Sequence, residues 1–124
     1  MNELNAFEEA ELSAQAVADD AGVRVTMKGS ADLRVMAKLT ALLSAAHEEA
    51  ARRKAPEVVV DFRSLDFMNS SCFKAFVSWI VRVQGLPADA QYKIRFLSDR
   101  GKHWQNRSLP ALSCFAVDLI KVDV

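Results

Sequence analysis

At 124 residues, 51% hydrophobic and 26% charged, the chain has the size and composition of one folded domain and not of a disordered segment. Its 16 basic and 16 acidic side chains give a formal net charge of zero, which leaves no basic face for binding to a nucleic-acid backbone. Two cysteines, Cys72 and Cys114, lack CxxC spacing and exclude a disulfide framework or a zinc site, and no apolar run approaches the ~20 residues of a membrane span. With no signal-like segment at the start, the cytoplasm is the expected compartment.

Residues 1–10 are acidic and are expected to fray. Residues 12–18 alternate weakly and are expected to form a first edge strand. Asp19-Asp20-Ala21-Gly22 reads as a tight turn, because Asp and Gly tolerate the backbone angles of a reversal. Val23, Val25 and Met27 then alternate with Arg24, Thr26 and Lys28, the pattern of a half-buried strand. Together these two strands predict an opening β-hairpin.

Gly29-Ser30 closes the second strand, and a long helix is expected over about residues 32–53. Leu33, Met36, Leu39, Leu42, Leu43, Ala46 and Ala50 recur every three or four residues and mark its buried face. Ser30 or Asp32 is placed to cap it, and Arg52-Arg53-Lys54 complements its carbonyl end. His47 lies beside Glu48 and Glu49 and reads as part of a solvated face. Pro56 stops the helix.

Val58-Val59-Val60 is an unbroken β-branched run, which predicts a strand covered on both faces by helices or by some other element. Residues 64–69 read as the loop leaving it. A second helix is expected from Ser70 or Ser71 to Gln84, apolar around most of its circumference and ended by Gly85-Leu86-Pro87. Trp79, with Phe76 or Val83, is expected to be its exposed part. Tyr92, Ile94 and Phe96 mark another strand, and residues 98–101 a loop. A shorter third helix covers part of 104–115, its regular portion starting near Ser108 because of Pro110. Residues 118–124 form a last strand.

The order β-β-α-β-α-β-α-β predicts one α/β domain over residues 1–124: a four- to five-stranded mixed sheet with an opening hairpin and three main flanking helices. No catalytic motif stands out, since GxSxG, GxGxxG and Walker-type loops are absent. Cys72 reads as a buried structural thiol, and Asp61 and Asp66 as carboxylates that cap loop amides. No metal or cofactor is expected. Segment 100–107, with Arg100, Lys102, His103 and Arg107 around Trp104, reads as a solvated loop whose tryptophan packs on the sheet edge. Small-ligand or nucleotide sensing there is the weaker alternative.

The stretch Val58-Val59-Val60-Asp61-Phe62-Arg63-Ser64-Leu65-Asp66-Phe67-Met68-Asn69-Ser70-Ser71-Cys72 resembles the central signature of STAS domains, the fold of anti-sigma-factor antagonists. In that family a hydrophobic strand ends in Asp, and a short loop leads to Asp-Ser at the start of a helix. Gly29 matches the family's glycine-containing turn, and the order of elements fits residues 23–124. Asn69 stands where the family has Asp, and Cys72-Phe73 where it has Gly-Leu.

The resemblance implies a non-catalytic, protein-binding regulatory module of a partner-switching pathway. Ser70 takes the place of the phosphorylated residue, with Ser71 as its alternative. Asp66, Asn69, Ser70, Lys74 and Trp79 form the expected partner surface. The implied partners are a serine kinase/anti-sigma factor and a phosphatase, with neither nucleic acid nor membrane insertion. A second reading is a constitutive scaffold or homodimer built on the apolar second helix. Independently of the family, Asn69, Ser70 and Ser71 are all favoured helix caps.

Overall fold

Six strands lie side by side in chain order in the computed structural model, which describes residues 2–124. The elements are β1 (Asn2–Glu9), β2 (Leu12–Asp19), β3 (Gly22–Ala31), α1 (Met36–Arg53), β4 (Glu57–Met68), α2 (Ser70–Gln84), β5 (Lys93–Leu97), α3 (His103–Phe115) and β6 (Ile120–Asp123). β1, β2 and β3 form an antiparallel meander, while β3, β4, β5 and β6 run parallel. The fold is thus the expected mixed α/β sheet with three main helices, with one strand more than foreseen.

The extra strand is β1. Residues 1–10 were expected to fray, yet β1 pairs with β2 along its length and its Leu4 and Phe7 pack against the core; Met1 lies outside the described residues. β2 is therefore an inner strand and not an edge. The turn between β2 and β3 forms where Asp-Asp-Ala-Gly predicted it: Asp19 Oδ1 accepts from the amides of Ala21 at 2.8 Å and Gly22 at 3.2 Å. At the other end, Gly29 has φ +103°, and a Cβ there would lie 2.0 Å from the Glu11 carbonyl oxygen. Only glycine fits this close approach of the β1–β2 turn to β3.

All three helices cover one face of the sheet. Each crossover from β3 onward steps in the same direction, so a constant right-handed connection places every helix on the same side. The inward side chains are Leu12, Ala14, Ala16 and Ala18 on β2, Val23, Val25 and Met27 on β3, Val58, Val60 and Phe62 on β4, and Ile94 and Phe96 on β5. Phe62 lies at its centre, 5.2 Å from the ring of Phe76, 5.3 Å from Phe96 and 5.8 Å from Trp104. The Val58-Val59-Val60 run is thus covered on one side only. Val59 faces the open side, in register between Arg24 and Arg95, among the ion pairs Arg24–Asp61, Arg63–Asp61, Arg95–Glu57 and Arg95–Asp123.

The helices differ from expectation at three points. Leu33 belongs to a 3₁₀ turn ahead of α1 and is exposed, and Asp32 caps that turn through a bond from the Arg34 amide at 2.9 Å. α3 starts at His103 and carries Pro110 within it, so segment 100–107 is half helix and not a loop. His47 is buried, not solvated: its Nδ1 lies 2.7 Å from Tyr92 Oη, which also accepts from Trp79 Nε1 at 2.7 Å. Among the described residues no helix is long and apolar enough to cross a membrane.

That buried chain of polar groups favours a neutral histidine. The Tyr92 oxygen accepts from the indole N–H, and a neutral His47 whose Nδ1 takes the hydroxyl proton leaves every buried donor of the chain paired. Burial, and then the nearby Arg82 charge, hold the His47 pKa below its usual value, against an opposing pull from Glu48. An unfolded chain takes up the proton below about pH 6.5, and the folded one resists it. The stability held by the neutral ring is therefore complete above that pH and drains as the pH falls. The urea midpoint should drop between about pH 7.5 and about pH 5.5, and His47→Gln should flatten that part of the slope.

Candidate functional site

The distal part of β4 explains how the Asn69-Ser70-Ser71 triplet is delivered. Its first half alternates in the ordinary way. Thereafter the register slips twice against β3: Thr26 and Lys28 face Asp61 and Ser64, then Gly29 and Ser30 face Leu65 and Phe67. Each slip inserts one extra β4 residue, a bulge, and converts the period of two into a period of three. Phe62, Leu65 and Met68 point inward, while Arg63, Ser64, Asp66 and Phe67 all point out. What reads as a loop over residues 64–69 is a bulged strand held to β3.

The strand ends where the Asn69 amide donates to the Ala31 carbonyl at 3.0 Å. Asn69 is the N-cap of α2, with φ −76° and ψ 170°, and its Oδ1 accepts from the Cys72 amide at 2.9 Å. Its carbonyl accepts the first helical bond from the Phe73 amide at 3.0 Å. Asn69 therefore does the capping that Ser70 or Ser71 were also suited to. Ser70 occupies the first helical position and is exposed; Ser71 is half-buried.

Ser71 lines a groove of about 330 Å³ between α1 and α2, with Met36, Thr40, Lys74, Ala75 and Ser78. Lys74 lies one turn along α2 from Ser70 and is exposed. The first turn of α2 holds no acidic residue, so its unpaired amides, helix dipole and Lys74 act together on an anion at Ser70. Beside this turn, Asp32 is clasped by Arg34, whose terminal nitrogen lies 2.6 Å from the carboxylate and holds it below the usual carboxylate pKa range.

The expected partner residues separate. Asp66, Asn69, Ser70 and Lys74 gather at the amino end of α2, where Asp66 is exposed and 2.8 Å from Lys102 Nζ. Trp79 does not belong with them. Expected on the exposed part, it is only 2% exposed, and Phe76 and Val83 are also buried. The inward face of α2 needs these large side chains to meet Tyr92 and Phe96 of the sheet region. The apolar side chains exposed near the site are instead Leu33, in the turn after β3, and Phe67, at the end of β4. A period-two reading of the sequence hides Phe67, because only the bulge turns it outward.

Two candidates for chemistry are occupied otherwise. The Cys72 thiol is buried, its pKa pushed up to about 11 by burial and the Asp32 charge, and it donates to the Asp32 carbonyl at 3.4 Å. Asp61 is engaged by Arg63 and Arg24 on the open face of the sheet, and its bond from Arg63 lowers its pKa. It is thus not paired with Asp66. Among the described residues no three His, Cys, Asp or Glu side chains are grouped to hold a metal ion.

The architecture, meander then parallel strands with a capped helix after β4, is that of anti-sigma-factor antagonists, the STAS fold. The chain superposes on an anti-sigma factor antagonist from Mycobacterium paratuberculosis with a TM-score of 0.62 and 14% identity, over 88% of this chain and 86% of that one. It also superposes on the anti-sigma factor antagonist SpoIIAA in its unphosphorylated form, with a TM-score of 0.54 and 17% identity, over 90% of this chain and 87% of the other. No family model matches the sequence, and no curated protein matches it. At these identities the likeness is one of fold.

The cap gives a direct prediction. Asn69→Ala should lower stability by about 1 kcal/mol, whereas Asn69→Asp, which keeps the acceptor and adds a charge favourable to the helix dipole, should match or exceed the wild type in urea unfolding.

Proposed function

We propose that this chain is a non-catalytic, protein-binding regulatory module that switches partners through the exposed amino end of α2, with Ser70 as the phosphorylated residue and Ser71 as its alternative. The observation that carries the reading is the division of labour in the Asn69-Ser70 pair. Asn69 makes the capping bond, so a phosphate on Ser70 takes nothing from the helix. The added charge of nearly −2 meets unpaired amides and Lys74, and the first turn of α2 itself carries no acidic side chain.

The docking surface consists of Asp66, Ser70, Lys74, the groove between α1 and α2, and the exposed side chains of Leu33 and Phe67. Unmodified, it offers an apolar floor edged by hydroxyls. Phosphorylated, it offers a hydrated dianion at the mouth of the groove, and a partner that fits the first state is rejected by the second. The partner is a serine kinase/anti-sigma factor, with a phosphatase resetting the mark, and the setting is the cytoplasm. Support comes from the fold shared with two anti-sigma factor antagonists. One of them is SpoIIAA in its unphosphorylated form.

Assignment as a non-enzyme is supported by the poor thiolate character of Cys72 and by the cations that occupy Asp61 and Asp66. The scaffold reading cannot use Trp79, Phe76 and Val83, which belong to the core, and is left with the exposed Val81 on α2.

Protein isolated from its native host should contain a species heavier by about 80 Da that is absent in Ser70→Ala. Ser70→Asp should weaken capture of the partner by about tenfold or more, while Ser70→Ala retains it. Equal partner capture by Ser70→Asp and the wild type would sink the switch.

A further inference from the structure

We propose that the first turn of α3 is the positioning element of the Ser70 site, with Gln105 and Trp104 acting through the tail of β4. As a claim about regulation it rests on the reading of that end of α2 as the working surface. The geometry behind it stands apart from that reading.

The tail of β4 lacks a neighbour on one side. β5 pairs with β4 only as far as Asp61, opposite Leu97, and the strand then continues to Met68 with β3 alone. Carbonyl groups on the other side are left inside the molecule and need donors. Gln105 provides them. It is 1% exposed, and its Nε2 donates to the Phe62 carbonyl at 2.6 Å and to the Leu65 carbonyl at 3.1 Å. Its Oε1 accepts from the Asp99 amide at 2.9 Å, so both ends of the side-chain amide are used. Trp104 Nε1 donates to the same Leu65 carbonyl at 3.0 Å, and its ring packs on Phe62. The exposed Lys102–Asp66 pair adds little in water.

These side chains do the work of a missing strand. They grip β4 at Phe62, inside the first bulge, and at Leu65, where the second begins. Three residues beyond Met68's inward neighbour Leu65 the chain reaches Met68, and the next residue is the Asn69 cap. A second ligand pocket is not needed to explain segment 100–107. Asp99 Oδ1 accepts from the Gly101 amide at 2.9 Å, and the Asn106 side chain donates to the Arg100 carbonyl at 3.0 Å, which shape the approach to the gripping turn.

A natural probe sits at the far end of the tail. Cys72 is 0% exposed, its amide bonded to the Asn69 cap and its thiol to the Asp32 carbonyl, so a thiol reagent reaches it only when this junction opens. The exposed Cys114 is removed with Cys114→Ser, and the labelling rate of Cys72 is followed on the isolated, folded chain. Gln105→Leu keeps the volume and deletes the donor. It should speed labelling by about tenfold beyond Ile120→Val, a destabilising control on β6 compared at equal distance from its own urea midpoint. Trp104→Phe, which removes one donor only, should move in the same direction by a smaller factor and serves if Gln105→Leu does not fold. Labelling no faster in either variant than in the control would overturn the proposal. Since no partner enters the assay, its outcome is separate from that of Ser70 phosphorylation.

Discussion

The structure depends on one constraint: β4 is longer than its neighbour β5, and the backbone groups of the overhang must still be satisfied. A strand that simply ended at Asp61 would leave the chain free to wander to α2. The overhang is instead sewn to β3 through two bulges and gripped from the opposite side by α3. Because a buried carbonyl without a donor costs about 1–3 kcal/mol, these bonds fix the path of the tail and not just its proximity. The position and orientation of Asn69, and so of Ser70, follow from that path.

Winding direction supplies the second half of the arrangement. Parallel strands added always on the same side put every helix on one face and every strand's carboxyl end along one rim. The rim gathers Asp32, Leu33, Phe67 and the amino end of α2 from elements distant in sequence. The opposite face is left to water and is covered by ion pairs. Exposed pairs of this kind add little stability, and their role is to keep an uncovered sheet face soluble and unattractive to other sheets. The helical face meanwhile holds the aromatic centre and the His47–Tyr92–Trp79 chain, so Trp79 is committed to the core and unavailable to a partner.

The sequence carried the element order from β2 onward, the β2–β3 turn residues and the triplet because these rest on local signals. Asp19 and Gly22 make their turn through the aspartate's own backbone bonds, and Leu39, Leu42, Leu43 and Ala46 are spaced for a helix. The errors arose where a long-range partner decides the outcome. Residues 2–9 show no strand pattern strong enough to be seen alone and become a strand because β2 offers an edge. Val59 looks buried by type, yet a one-directional sheet leaves its face open. His47 looks solvated beside two glutamates, yet Tyr92, 45 positions away, draws it inward. Ser70 was legible as the exposed start of a helix. The capping choice among Asn69, Ser70 and Ser71 was not, because all three side chains can accept the same bond, and only the bulged approach of β4 places Asn69 at the cap. Phe67 and Gln105 left no local signal of their roles, whereas Trp104 was legible as a ring packed on the sheet edge.

In the proposed switch, phosphorylation of Ser70 changes the surface while the interior stays as it was. Amide chemical shifts of the chain carrying phosphoserine at position 70, set against the unmodified chain, test that directly. The expected result is change confined to the end of β4, the first turns of α2 and the lip of the groove, with the amides of β3, β5 and the aromatic centre unmoved. Shifts spread through the sheet, or loss of the folded spectrum, would contradict it.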